Sequence, residues 1–277
     1  MKLPILPAAA VICLVPVSLL RAEGPLVVVL DPGHGGKDES VKTGNAQEGD
    51  GAAWNNATSA TLHLLEKDLT LSYCQAILRK IEASPEGQQG KWKVVMTRTA
   101  DVHVSAMERA AVAVREGAAI FLSVHFNTSE HHNAVGTRVF YVAPQHPKWE
   151  YFHFTNPYAD RDKRFATILC DQVADAFKSF GGSPEHRSVT DDAQDRRDGL
   201  RNLGYARQDT SLHNCAVALV ELEFIDNPTV EDWLLANDHR TTTEEATADA
   251  VVSTLRIWTA LSPGQRGEQE KALKAPH

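Results

Sequence analysis

The sequence is short of positive charge: Lys and Arg number 28 against 36 Asp and Glu, a formal net charge of -8 over 277 residues. A chain that neutralises phosphates carries a basic surplus or a basic stripe, so the deficit argues against a nucleic-acid partner. Cysteine is scarce too, at four residues. Cys13 lies in an N-terminal apolar run, and Ile12 before it is too large for a lipid-anchoring cysteine. Cys74, Cys170 and Cys215 are odd in number, sit in apolar periodic segments and have no CxxC neighbour. Buried small hydrophobes are therefore favoured over a disulfide or a thiolate metal site. No internal repeat and no second domain is visible. The apolar run from Ala8 to Leu20 is too short for a membrane span and no stop-transfer pattern follows it.

What is present fits one domain: 43% hydrophobic and 23% charged residues supply one sizeable core. Lys2, the apolar run and Arg21 to Glu23 have the layout of a secretory signal over residues 1–24. Export to the periplasm or cell envelope is expected, with no stable membrane span once the signal is removed. Leu20 is large for the residue three places before a cut, so an uncleaved anchor is the alternative. The catalytic domain is expected over 25–262 and a disordered tail over 263–277.

Leu26 to Leu30 is an unbroken β-branched and leucine run that breaks into a glycine loop, Asp31 to Gly36. That pattern predicts a buried strand. A long loop without clear period follows, from Lys37 to about Leu64, and helical spacing begins at Glu66 with Leu69, Tyr73, Ile77 and Ile81. Strands are predicted at Lys93 to Thr97, Ile120 to Val124, Thr137 to Val142 and Ala216 to Val220. Helices are predicted from the capping-box residues Ser105 and Glu108 to Gly117, before Gly181, after Asn227 and Pro228, and from Ala246 to Leu261. The alternation predicts a single layered α/β domain with a mostly parallel or mixed central sheet flanked by helices. His34, His125 and Glu221 each follow a strand run and Glu66 opens a helix. In such sheets, sites gather at the carboxyl ends of strands.

Two imidazoles and one carboxylate make a catalytic zinc set that leaves a fourth position for water. Spacing alone does not assign His34, Glu66 and His125 to it. A strand-end histidine is often only hydrogen-bonded, and a first-turn glutamate often only complements the helix dipole. His63, His131 and His132 are loop histidines and read as solvated; His213 is the remaining histidine expected to face the cleft. Asp31, three residues before His34, has either an orienting role or a turn role.

Four stretches carry a resemblance that decides between these readings. Val28 to Asp38, Glu66 to Leu71, Ser123 to Asn127 and Leu219 to Asn227 resemble, in order, the motifs of the zinc-dependent N-acetylmuramoyl-L-alanine amidases of the amidase type 3 family. The resemblance implies a zinc-amidase/exopeptidase-like fold and a peptidoglycan substrate. It implies zinc held by His34, Glu66 and His125, with Glu221 as the catalytic carboxylate that shuttles a proton. The reaction implied is hydrolysis of the amide between N-acetylmuramic acid and L-alanine. Rival readings are a zinc peptidase acting on stem peptides, a noncatalytic wall-binding module and, for Glu221 alone, an ion pair with a base such as Arg207.

The chain departs from the family at Glu223, where glycine is usual, and near Ala216, where proline is. If the strand continues, Glu221 and Glu223 share a face and one pKa rises; if it has ended, Glu223 faces water. Trp54, Asn55 and Asn56 are candidates to line the groove. The connection from Ala143 to Asp162 is short for the regulatory helix of some relatives, so activity without an activator is expected, although Trp149, Tyr151, Phe152 and Phe154 within it are candidates to pack over the cleft.

Overall fold

Valine and leucine fill Leu26 to Leu30 without a break, and the strand they form, β1 (Leu26–Pro32), is buried on both faces in the computed structural model, which describes residues 24–36, 57–145, 155–191, 204–206, 212–236 and 238–267. Val28 and Leu30 enter one core and Val29 the other, as the two-residue period of a strand requires. The expected signal up to Glu23, Lys37, Asp38, the groove candidates Trp54 to Asn56, the aromatics Trp149 to Phe154, Arg207 and the expected tail from 268 lie outside the described residues.

Five further strands are β2 (Trp92–Met96), β3 (Ile120–Asn127), β4 (Arg138–Tyr141), β5 (Ser188–Asp191) and β6 (Ala216–Phe224). They form one sheet of order β2-β1-β3-β6-β4-β5. Only β4 and β6 pair antiparallel, so the sheet is mixed and its centre parallel. The helices are α1 (Glu66–Ala83), the single turn α2 (Pro85–Gln88), α3 (Ala106–Glu116), α4 (Ala159–Phe177), α5 (Pro228–Leu235) and α6 (His239–Ala260).

On the broad face α6 packs between α1 and α4, and Leu69, Tyr73, Phe165, Leu169, Val251 and Leu255 meet Leu30, Leu122, Val124 and Val220 of the sheet. Each such buried side chain contributes roughly 1.5–3 kcal/mol. Edge-to-face pairs bind helix to sheet and helix to helix: Tyr73 with Phe126 at 5.1 Å and Phe165 with Trp258 at 5.4 Å between ring centroids. On the other face α3 sets Ala110 and Ala113 against Val29, Phe121 and Leu219.

The helix boundaries follow the sequence signals. Ser105 Oγ accepts from Glu108 N, Glu108 Oε2 accepts from Ser105 N, and Gly117 ends α3 in the left-handed region at φ 63°. Asn227 Oδ1 caps α5 by accepting from Thr229 N, with Pro228 in the first turn. Other boundaries differ: β3 and β6 run on to Asn127 and Phe224, α6 begins at His239 rather than Ala246, and β5 is an unanticipated edge strand. Of the expected tail, Gly264–Arg266 form one 3-10 turn with the Arg266 guanidinium over the Trp258 ring. Cys74, Cys170 and Cys215 are buried free thiols.

Candidate metal centre

β1 and β3 are adjacent and parallel, so the segments that leave them open into one crevice at their carboxyl ends. The β1 exit, Gly33 to Gly36, winds through the left-handed region: His34 has φ 56°, Gly35 123° and Gly36 88°. A non-glycine residue there is strained by about 1–2 kcal/mol and needs surroundings that over-determine it. Two buried arginines provide them. Arg98 Nη2 donates to Gly33 O (2.7 Å) and Lys67 O (2.7 Å), and its Nε to Pro32 O (3.0 Å). Arg109 Nη1 donates to Pro32 O (2.7 Å) and Nη2 to His34 O (2.6 Å). Arg109 Nη1 also pairs with Asp31 Oδ1 at 2.7 Å, and Thr97 and Ser123 hydroxyls donate to the same carboxylate. Burial would raise the Asp31 carboxyl, but the Arg109 charge and these hydrogen bonds hold it below its ordinary value. Asp31 thus supports the His34 loop through Arg109, a form of support beyond either reading of its sequence.

The structure brings His34, Glu66 and His125 together. One donor atom from each lies within 4.8 Å of the others, and among the described residues no other group of His, Cys, Asp and Glu is so arranged. His34 Nε2 stands 3.0 Å from Glu66 Oε2 and His125 Nδ1 3.0 Å from Glu66 Oε1. The two rings cross at 73° with centroids 5.0 Å apart. Each Glu66 oxygen is also fixed by a backbone donor, Oε2 by Ala57 N (3.0 Å) and Oε1 by Phe126 N (2.9 Å). Burial opposes charge on Glu66, yet the His34 charge and the hydrogen bonds from His125 and His34 hold its carboxyl well below the usual range. Burial lowers the His125 pKa, with Glu66 pulling the other way.

Two nitrogens and one oxygen are the donor chemistry of catalytic zinc, and tetrahedral bonds of about 2.0–2.1 Å need donors about 3.3 Å apart. Each imidazole stands at about that distance from one Glu66 oxygen, and the set with one donor atom per residue closes within 4.8 Å, so the donor chemistry fits the ion. The His125 ring lies against the bare backbone of Gly33, where a Cβ would fall 2.4 Å from its Cε1.

Glu221 is the Cα partner of His125 across the β3 and β6 ladder and is half-buried. Beyond it the register slips, Asn127 pairing with Phe224, so β6 carries one extra residue there. Glu223 is buried at 2% exposure, and its Oε2 accepts from Gly136 N at 2.7 Å. The water-facing alternative is therefore excluded. Burial raises the Glu223 carboxyl to about 7 against the lowering pull of the Gly136 and Phe224 N–H groups. A rise was expected; its source is desolvation rather than a facing carboxylate. A raised native pKa stabilises the fold fully below about pH 4.5, and that contribution is lost as pH climbs through 7. The loss amounts to about 3 kcal/mol. Glu223→Gln is expected to raise the melting temperature at pH 8 by about 5–10 °C and to change it little at pH 4.5. Equal shifts at both pH values in a thermal melt would refute this.

His213 does not face the crevice. It precedes β6, at the amino end, and the strand from Ala216 to Glu221 spans roughly 16 Å. Its carbonyl accepts from Arg161 Nη1. His63, His131 and His132 are exposed on loops and belong to no donor cluster among the described residues. Motif and periodicity do not single out Arg98 and Arg109; the one signal in the sequence is Arg109 on the same helical face as Ala106, Ala110 and Ala113, where a charge needs a partner.

Fold and crevice together define a layered α/β protein with a three-donor cluster that could hold a metal ion at the carboxyl ends of its central strands. The chain belongs to the N-acetylmuramoyl-L-alanine amidase family, whose model matches residues 28–253. It is 30% identical over 224 residues to the probable cell wall amidase LytH of Staphylococcus aureus, covering 81% of this chain and 56% of that one. It is 31% identical over 116 residues to the amidase AmiC of Escherichia coli O6:H1, covering 42% and 22%. The chain thus spans 22% to 56% of the lengths of these relatives. Among solved structures, the catalytic domain of the amidase CwlV from Bacillus (Paenibacillus) polymyxa var. colistinus superposes with a TM-score of 0.56 at 21% identity, covering 83% of this chain and 98% of that one. The amidase Ami1 from Mycobacterium smegmatis gives 0.57 at 18% identity, covering 89% and 99%. These structural likenesses establish the fold.

Proposed function

We propose that this protein is a zinc-dependent N-acetylmuramoyl-L-alanine amidase that acts outside the cytoplasm, in the periplasm or cell envelope. Its substrate is peptidoglycan, and the bond cut is the amide between N-acetylmuramic acid and L-alanine. The observation that carries the reading is the convergence of His34, Glu66 and His125, with Glu221 beside His125 in register. In this reading the first three hold zinc and Glu221 is the catalytic residue. Zinc in that seat supplies Lewis acidity, which polarises an amide carbonyl and lowers the pKa of water toward about 7.

The rest of the chemistry falls to the chain. Glu221 takes a proton from the water whose oxygen bonds to the carbonyl carbon, and returns one to the amide nitrogen as the C–N bond breaks. Glu66, fixed by Ala57 N and Phe126 N, keeps both imidazoles in place. Arg98 and Arg109 keep the strained His34 loop closed over β1.

Incubation of the protein with purified peptidoglycan, without any activator, tests the reading. Mass spectrometry is expected to find whole stem peptides that begin with L-alanine. Fragments cut within the stem would favour the peptidase, and binding without release the noncatalytic module. Chelation is expected to lower the rate more than about 100-fold, and equimolar zinc to restore it.

A further inference from the structure

The segments that leave β3 and β6 are joined just beyond the metal-binding cluster. Ile225 N donates to Asn127 O at 3.1 Å, Ser129 N to Asp226 Oδ2 at 2.9 Å, and Asn227 Nδ2 to Ala134 O at 3.1 Å. At the centre of this junction Asp226 Oδ2 lies 2.7 Å from His132 Nδ1. The partners differ sharply in environment: the Asp226 side chain is 5% exposed and that of His132 68%. Asp226 Oδ1 is buried with no hydrogen-bond partner among the described residues. His132 is held at φ 52°, in the left-handed region.

A buried carboxylate is costly to desolvate, and a loop strut needs only the Ser129 N–H that Asp226 already accepts. Holding an exposed ring as well is an arrangement for orientation. A carboxylate can only accept, so Nδ1 carries the hydrogen and the opposite ring atom, Nε2, is presented outward. When the ring is protonated, Nε2 donates a charge-assisted hydrogen bond, and the chemistry it fits is an anionic oxygen. Asp226 follows Glu221 by five residues, a span of at most about 18 Å, and a four-residue peptide reaches about 14 Å.

We infer that His132, oriented by the buried Asp226 carboxylate, is a specificity residue that recognises a carboxylate of the peptide stem several residues from the cleaved bond. This rests on the amidase reading. His132 contacts substrate; Asp226 is a positioning residue acting through it.

The test uses the zinc-loaded full chain and two four-residue stem peptides, one with free carboxylates and one fully amidated, with affinities measured by calorimetry. Wild type is expected to bind the acid form about tenfold more tightly, the worth of one charge-assisted hydrogen bond. His132→Ala is expected to bring the ratio near one and leave affinity for the amidated peptide unchanged. Asp226→Asn is expected to lower the ratio in the same direction. A role confined to bracing the loop would shift melting temperature and both affinities together, leaving the ratio intact. An unchanged ratio in His132→Ala, or no acid preference in wild type, overturns the inference. Failure of the amidase reading shows elsewhere, as wild type that releases no stems from peptidoglycan.

Discussion

Glu221→Gln is expected to retain stoichiometric zinc and to turn over the muramoyl amide about 10²–10⁴-fold more slowly, the range of a positioned general acid–base group. The three-donor cluster does not include Glu221, so its loss leaves the seat intact. In the proposed mechanism its place opposite His125 in the ladder lets the carboxylate carry a proton between water and the departing nitrogen. An amide keeps the shape and removes the proton acceptor, so the defect belongs in kcat. Elemental analysis and steady-state kinetics on one preparation check both halves. Undiminished kcat would remove Glu221 from the mechanism, and loss of the metal would make it a ligand instead.

The second large effect concerns stability. Arg109→Met is expected to cost about 3–5 kcal/mol, the usual price of leaving one member of a buried ion pair alone. Asp31 would keep the hydroxyls of Thr97 and Ser123 but lose its counter-charge at 0% exposure, and the carbonyls of Pro32 and His34 would lose their donor. Because His34 sits on that loop in a strained conformation, zinc affinity should fall with stability. Adding Asp31→Asn should recover part of the stability and none of the affinity, since the neutral amide relieves the buried charge without restoring the loop donors. Denaturant titration and competition with a chelating dye separate these quantities. A variant as stable as wild type would show that the Arg109 contacts carry little of the fold.

The continuous apolar runs of β1, β3 and β6 are legible because strands buried on both faces have no polar alternation to hide them. His34, Glu66 and His125 are visible as polar residues at the ends of those runs and at a helix start, yet nothing in their spacing says that they meet. The resemblance in motif order nominates them as a ligand set, and the fold supplies the geometry of their convergence. β3 and β6 run past their apolar signal because polar residues such as His125 and Glu223 stand within the strands, where Glu66 and Gly136 N partner them.

The start of α6 was hidden for a different reason. Threonine is a poor helix former, and His239 to Thr247 is rich in it. In the fold, Thr243 and Thr247 donate their hydroxyls back to the carbonyls of His239 and Thr243, which lets a polar segment enter the core between α1 and α4. Strand β5 leaves little trace in the sequence because Ser188–Asp191 is half-exposed and short, an edge strand with little apolar signal.

The naked α-carbon of Gly33 makes the centre unevenly vulnerable to change. The imidazole of His125 rests where the first atom of any side chain would stand, so the smallest alteration that genetics can make there, one methyl group, displaces a ring supplied by another strand. Tolerance at this position is set by crowding from across the sheet, and an alanine is expected to disorder the candidate centre while leaving each of its three donors in the chain.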